Sequence, residues 1–429
     1  MQLKQKIQTD VLTLGEKKIS NPFKYNQHLS NKRILHNPFI DNADYPNLSE
    51  TAFQVAGVHE KIYFEPKKVK AGIVTCGGIC PGINNVIRSI VMCLWNNYDC
   101  QQAYGFRYGL QGFIDKYGHD LMHLTPEIVL DIHNQGGTIL GTSRGSQPPE
   151  DIVDRLEFEN FNQIFFIGGN GTLQAAGRVY EEIARRNLDI SVMAIPKTID
   201  NDIMYVTQSF GFDTAVDVAT NAIKSAYIEA KSSPNGIGLV KLMGRNSGFI
   251  AATASVAQRN VNYVLIPEVP FQIDGENGLL NRLKHTILQK NYAVVVVAEG
   301  AGQDLIQSNS LGTDASGNPK LKDIGFFLKD RIGQFFKDEG VELNLKYIDP
   351  SYLIRSVPSN THDNIFTALL GQYAAHAAMA GFTNALISWW HGVYCIIPMN
   401  LASSGTKIIN PSGRLWQNVI ESTGQPDMY

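Results

Sequence analysis

Ile190-Ser191-Val192-Met193-Ala194-Ile195-Pro196-Lys197-Thr198-Ile199-Asp200-Asn201-Asp202-Ile203 joins an apolar run to a dense polar cluster. Residues 190–195 are almost wholly apolar, as in a strand buried on both faces, and Pro196 stops the run. One Lys, one Thr, one Asn and two Asp then fall within six residues. In an open α/β sheet ligands bind just beyond the carboxyl ends of the strands, so this cluster stands where chemistry is done. Its two carboxylates, two positions apart on a loop, need not point the same way. One can hold a metal while the other takes a proton. An Asx-rich turn that merely closes a strand explains the same residues, so the decision falls to their neighbours.

Working back towards the N-terminus, residues 71–76 read as another buried strand. Gly77-Gly78-Ile79-Cys80-Pro81-Gly82-Ile83-Asn84 is its turn, and residues 85–94 have helical spacing. Strand, glycine loop and helix together present backbone N–H groups to a phosphate. Glycine is also the default residue of any tight turn, so one such loop says little. A second glycine-rich turn, 136–145, places Arg144 among glycines, where its guanidinium can fork onto a phosphate or simply face solvent. A third follows the strand 164–167 and reads Gly168-Gly169-Asn170-Gly171-Thr172, with a helix from Leu173. With Pro196 to Asp202 there are four such strand ends between Gly77 and Asp202, which together imply one polyphosphate cleft.

Working forward, the alternation repeats. A helix over 213–230, a strand over 238–243, a helix over 248–258 and strands over 261–266 and 292–298 are expected from the pattern. Unbroken apolar strands imply a parallel sheet covered on both faces, and helices between them make it doubly wound α/β. Arg245, Glu268 and Glu299 fall at the ends of these strands. Each alone is an ordinary strand-end charge; three together suggest the site of a second ligand. Residues 1–65 are polar, Asn-rich and weakly periodic, and are expected to form an extension lying over the body.

Composition narrows the classes. A chain of 429 residues with 44% hydrophobic and 18% charged residues has a sizeable core. A formal net charge of −3 gives no reason to expect a nucleic-acid or acidic-membrane partner. The five cysteines, Cys76, Cys80, Cys93, Cys100 and Cys395, form no CxxC pair, which supports neither a zinc site nor a disulfide framework. A reducing, cytoplasmic setting is expected. The first twenty residues show no secretory pattern, and the apolar stretch 385–398 is too short to span a bilayer.

These residues carry a resemblance. Over residues 70–410 the chain resembles the 6-phosphofructokinases, and within them the long-chain branch of plant and trypanosomatid ATP-dependent enzymes and their pyrophosphate-dependent relatives. Cys76 to Asn84 resembles that branch's first phosphate loop, and Pro196-Lys197-Thr198-Ile199-Asp200-Asn201-Asp202 its catalytic motif. Met243-Gly244-Arg245, Pro267-Glu268-Val269-Pro270-Phe271 and Tyr347 to Ser356 resemble its sugar-phosphate motifs, all in the family's order.

The resemblance implies a fold of two doubly wound αβα domains with the N-terminal extension. A phosphoryl-donor domain would span 66–211 plus 354–410, a sugar-phosphate domain 212–353, and a tail 411–429. It implies phosphoryl transfer from ATP, or alternatively pyrophosphate, to the 1-hydroxyl of fructose 6-phosphate, with Mg2+. Asp200 would be the general base, Thr198 a donor to the moving phosphoryl group, and Arg245 a stabiliser of its charge. Gly77, Arg144, Gly169, Asn170, Gly171, Thr172 and Lys197 would line the donor phosphates. Met243, Gly244 and Glu268 would hold the sugar, and Lys346, Tyr352 and Arg355 its 6-phosphate. Asp202, with Asn170, would place the metal. The resemblance also implies a cytoplasmic homodimer or homotetramer that engages neither nucleic acid nor membrane.

Three positions depart from the family pattern. Gly236 stands where short bacterial members carry a cross-subunit Arg. Arg107 stands where they stack an aromatic ring on the adenine. Asn170 replaces an Asp that serves the metal. Gly171 resembles the ATP users, whereas Asp at that position resembles the pyrophosphate users. NAD and lipid kinases share Gly-Gly-x-Gly-Thr but lack the Met-Gly-Arg and Pro-Glu-Val-Pro-Phe motifs. A sugar-phosphate binder without turnover would keep both.

Overall fold

Strand and helix signals of the sequence resolve into two compact units in a computed structural model that describes residues 7–23, 32–37, 52–306, 312–313 and 319–426. The first unit comprises Met1–Thr198, Ile203–Gly211 and Val357–Thr406, and the second Ile199–Asp202, Phe212–Ser356 and Lys407–Tyr429.

The first unit is built on a nine-stranded sheet. Its centre is five parallel strands in the spatial order Ala385–Trp390, Ser191–Pro196, Gln163–Gly168, Lys70–Thr75 and Gln102–Phe106. Ile164, Phe166, Val192 and Ala194 point into one core with the helices Pro149–Phe158 and Asn170–Arg185. The pleat turns Phe165, Ile167, Met193 and Ile195 to the other face, where the helices Ile83–Tyr98 and Thr361–Met379 pack on each other. Both faces are therefore covered, which is why these strands read as continuous apolar runs. From Lys70–Thr75 the chain first goes outward to Gln102–Phe106 and then returns to the other side at Gln163–Gly168. The order reverses between those two neighbours, and in such sheets the ligand crevice opens at that point.

The second unit holds a four-stranded parallel sheet in the order Tyr263–Leu265, Tyr292–Ala298, Gly236–Leu242, Asn344–Ile348. Ile237, Leu239, Val295 and Val297 share a core with the helices Leu279–Lys290 and Ile324–Asp338. The neighbouring strands Gly236–Leu242 and Tyr292–Ala298 lead on to opposite edges of the sheet, so their ends form a second reversal point.

Several expectations are corrected. The N-terminal residues do not simply lie over the body: Arg33–Leu35 and Ala52–Val55 extend the nine-stranded sheet, and Leu12–Thr13 pairs with Phe382–Thr383. The rest of the extension, residues 1–6, 24–31 and 38–51, lies outside the described residues. The C-terminal residues are not a tail, since the helix Arg414–Thr423 belongs to the second unit. Beyond it the Gln425 side chain accepts from Val264 N at 2.7 Å and donates to Val264 O at 3.3 Å, occupying the open edge of the strand Tyr263–Leu265. Residues 354–356, expected with the donor domain, fall in the second unit, as does Ile199–Asp202. The stretch 385–398 is an antiparallel pair of strands, Ala385–Trp390 and Val393–Pro398. Among the described residues no helix is long and apolar enough to cross a membrane.

Candidate active site

In the first unit four loops meet at the carboxyl end of the sheet. Gly77 N donates to Ser143 O at 3.1 Å, and Thr142 Oγ1 donates to Gly77 O at 2.7 Å. Residues 136–145 are therefore not a strand end, as the sequence pattern had them. They follow the short 3₁₀ turn Ile132–Asn134 and are stitched onto the loop after Lys70–Thr75, where Thr75 Oγ1 also donates to Gly141 O at 2.7 Å. Lys197 joins the other two loops. Its backbone N donates to Gly168 O at 3.0 Å and its Nζ to Gly78 O at 2.6 Å, with the residue only 5% exposed. The expected donor residues Gly77, Gly169, Asn170, Gly171, Thr172 and Lys197 are thus brought together, and Arg144 stands exposed on the same stitched loop.

The helix expected from Leu173 begins at Asn170, with Gly169 as its N-cap. Asn170, Gly171 and Thr172 form its first turn, whose outward N–H groups and positive dipole end suit an anion. A Cβ added at Gly169 would come within 3.2 Å of Lys197 O, whereas one added at Gly171 would meet nothing within 4 Å. Gly171 therefore borders open volume.

An aromatic group also stands beside these loops, one position later than the sequence comparison placed it. The Tyr108 ring is 39% exposed and lies against Gly141, where an added Cβ would sit 2.7 Å from the ring. His119 packs beside it at 4.7 Å between centroids, and the Arg107 guanidinium lies 5.3 Å over it. Only the adjacency Arg107-Tyr108 hinted at this in the sequence.

The second unit carries the other set. Met243, Gly244 and Arg245 follow the strand Gly236–Leu242, and Glu299 and Gly300 follow its neighbour. Glu299 N donates to Leu242 O at 2.9 Å and Gly300 N to Gly244 O at 3.1 Å. At Gly300 an added Cβ would lie 1.8 Å from Arg245 O, so the two loops touch backbone to backbone. Burial raises the Glu299 carboxyl above the usual range, and the positive charges of Lys241, Arg245 and Arg355 pull it back. Two of the expected cations, Arg245 and Arg355, therefore converge on one carboxylate that the sequence marked only as a strand-end charge. The Arg355 guanidinium stacks 5.1 Å over the Tyr352 ring, and its buried Nε has no hydrogen-bond partner. Lys346 is exposed on the edge strand, opposite Gly238 in register.

Glu268 has a role that the sequence did not show. Gly248 N donates to both its oxygens at 3.0 Å, and Ile409 N donates to Oε1 at 2.9 Å. It caps the helix Phe249–Gln258 and anchors the C-terminal segment. A carboxylate offers about four acceptor directions, so two N–H donors leave room for a sugar hydroxyl.

Asp200, Asn201 and Asp202 belong to the second unit, whereas Lys197 and Thr198 belong to the first. Ser209 Oγ donates to Thr198 O at 2.6 Å, and Ser247 Oγ donates to Asp200 O at 3.1 Å. Asn201 takes φ 53°, a left-handed conformation that Asn tolerates better than most residues. This reversal between the two aspartates lets their side chains diverge. Lys407, unmarked in the sequence, donates from Nζ to Asn201 Oδ1 at 3.0 Å and from its backbone N to Asp202 O at 2.8 Å. Its ammonium lies 5.1 Å over the Phe249 ring. Burial pulls its pKa down to about 7, against the opposing charge of Asp202.

The place of the cross-subunit Arg is closed by the fold. Gly236 backs onto the end of the helix Phe212–Lys231, where an added Cβ would meet Ala230 O at 1.9 Å.

The phosphofructokinase family model matches residues 70–378. The chain is 46% identical over 428 residues to the ATP-dependent 6-phosphofructokinase of Borreliella burgdorferi, covering 96% of each chain. It is 43% identical over 380 residues to the ATP-dependent 6-phosphofructokinase of Trypanosoma brucei brucei, covering 88% of this chain and 77% of that one. Among solved structures, the pyrophosphate-dependent phosphofructokinase of Marinobacter aquaeolei superposes with a TM-score of 0.68 at 18% identity, covering 84% of this chain and 92% of that one. At that identity the likeness speaks to the fold alone.

Proposed function

The chain belongs to the phosphofructokinase family, and from that premise we propose that it transfers the terminal phosphoryl group of ATP to the 1-hydroxyl of fructose 6-phosphate. It is an enzyme of glycolysis, as the names of its relatives imply. Asp200 takes the proton of the 1-hydroxyl as that oxygen bonds to the γ-phosphorus. The bond from that phosphorus to the bridging oxygen breaks, leaving ADP and fructose 1,6-bisphosphate. Thr198 and Arg245 donate to the phosphoryl oxygens as charge shifts across them, where catalysis of this reaction mostly resides. Met243, Gly244 and Glu268 hold the sugar. Arg355, with its uncommitted Nε, joins Tyr352 and Lys346 on the 6-phosphate.

Asp202 offers a carboxylate oxygen and Asn170 an amide oxygen, the hard donors that Mg2+ takes. Among the described residues no group of three His, Cys, Asp or Glu forms a cage. That pattern suits a cation that enters on the substrate phosphates, and Mg2+ held there would offset charge on the transferring group. We further infer a cytoplasmic homodimer or homotetramer, which sedimentation of the purified protein tests.

The observation that carries the choice of donor is the open volume at Gly171. A carboxylate there would fill the space and repel an α-phosphate, while glycine leaves room for a nucleotide. The exposed Tyr108 ring beside the same loops supplies a flat surface for a base, which pyrophosphate lacks. A coupled assay run with ATP and with pyrophosphate tests this. ATP alone should support turnover in the natural protein. Gly171→Asp should depress ATP use by on the order of 10²-fold, because like-charge juxtaposition costs several kcal/mol. Turnover with pyrophosphate and none with ATP would overturn the choice of donor and leave the fold standing.

A further inference from the structure

We propose that Lys407 is a positioning residue for the catalytic turn, fixing the reversal at Asn201 that sends the two aspartates to different tasks. The proposal rests on the roles given above to Asp200 and Asp202. A non-glycine residue at positive φ is uncommon and persists where its surroundings hold it. Here the surroundings are specific. The Asn201 side chain accepts from Lys407 Nζ, and the Asp202 carbonyl accepts from Lys407 N. Ser247 Oγ donates to the Asp200 carbonyl, a second hold on the same turn.

The lysine is in turn held in place. Two residues on, Ile409 N is bonded to Glu268, which caps the helix Phe249–Gln258. The Phe249 ring at the start of that helix lies under the ammonium. Helix cap, C-terminal segment and catalytic turn thus form one hydrogen-bonded unit. Protonated or neutral, the amine can donate to Asn201 Oδ1, so the clamp does not depend on its charge. The Lys407 amine bonds the residue between the aspartates, and its backbone N–H bonds the Asp202 carbonyl. Its contribution is therefore the orientation of Asp200 and Asp202, and removing it should leave the sugar-binding groups in place.

The test compares Lys407→Met, which keeps the stem and loses the donors, with Lys407→Arg, which keeps a donor. Turnover, fructose 6-phosphate binding by calorimetry and thermal stability are measured on the full chain. Lys407→Met should lower kcat by on the order of 10²-fold, the effect of a misplacement of about 1 Å at a reacting centre. Sugar-phosphate affinity and melting temperature should hold, and Lys407→Arg should recover most of the turnover. Asn201→Gly should show a similar loss of kcat, and adding Lys407→Met to it should cost little more, because both remove one interaction. Multiplying losses, an Arg variant as poor as Met, or parallel losses of turnover, affinity and stability would overturn the proposal. Asp200→Ser, run alongside, separates the two levels. If it keeps full turnover, the role of Asp200 fails and the proposal with it. If it loses turnover while Lys407→Met does not, the proposal alone fails.

Discussion

Asp200 sits on a turn whose carbonyls and side chains are pinned, and this has a consequence at the scale of one residue. Its backbone is held by Ser247 and its neighbour by Lys407. Shortening its side chain should therefore leave the turn in place and remove only the acceptor for the 1-hydroxyl proton. Asp200→Ser should lower kcat by about 10²–10⁴-fold, the usual worth of a positioned base. Fructose 6-phosphate binding, measured by calorimetry, should survive. Undiminished turnover would mean that another group takes the proton. The residue types and spacing of this motif were legible in the sequence, as was the position of Gly171. The capping work of Glu268 was not, because its partners Gly248 and Ile409 lie 20 residues before it and 141 residues after it. Lys407 was hidden for the same reason, 206 residues from Asn201.

At the scale of elements, the order of strands and helices was readable because both faces of each sheet are covered, so strands appear as apolar runs and helices as periodic ones. Boundaries were less readable. The helix from Asn170 starts three residues before its first apolar residue, Leu173, because its first turn is polar and Gly171 in it borders open volume. Residues 136–145 carry the glycines of a strand end without a strand, since their place is set by hydrogen bonds to residues 75–77. Backbone contact between elements is where a small change should act at a distance. Gly300→Ala would place a Cβ 1.8 Å from Arg245 O, a backbone atom that cannot rotate away. The turn carrying Met243, Gly244 and Arg245 must then shift. We expect kcat/KM for fructose 6-phosphate to fall by on the order of 10²-fold. ATP binding, measured by equilibrium titration, should change less, because the glycine loops expected to line the donor phosphates lie in the other unit. An equal loss of ATP affinity would show that the substitution disturbs more than one turn.

At the scale of the whole molecule, the N-terminal segment was the least legible part. Its pieces are short, and two of them, Leu12–Thr13 and Ala52–Val55, pair with strands far along the chain, so they carry no periodicity of their own. What ties it down includes a buried polar group. Asn21 Nδ2 donates to His59 O at 2.8 Å, and Phe23 stacks on His376 at 5.8 Å. His376, 5% exposed on the helix Thr361–Met379, shares a hydrogen bond of 2.7 Å between its Nδ1 and Tyr98 OH, and its Nε2 faces Cys93 Sγ at 3.7 Å. Burial pushes its pKa down to about 4, and the imidazole is neutral in the folded chain at physiological pH.

The sign of the linkage follows from that. As pH falls below about 6.5, the ordinary value for an exposed histidine, the unfolded chain takes up a proton here that the folded chain refuses. The stability that this neutral histidine contributes is complete above that value and is lost as pH falls to about 4, where the folded form also protonates. The loss over that window is on the order of 3 kcal/mol, from 1.36 kcal/mol per pKa unit. His376→Gln can still hydrogen-bond Tyr98 but cannot charge. Urea midpoints of the natural protein and the variant, compared between pH 7.5 and 4.5, should therefore converge or cross on acidification, with the natural protein losing more. Carboxylates common to both proteins cancel in this difference. Parallel curves would mean that His376 protonates without leaving its place, and that the stacking of Phe23 does not depend on a neutral ring.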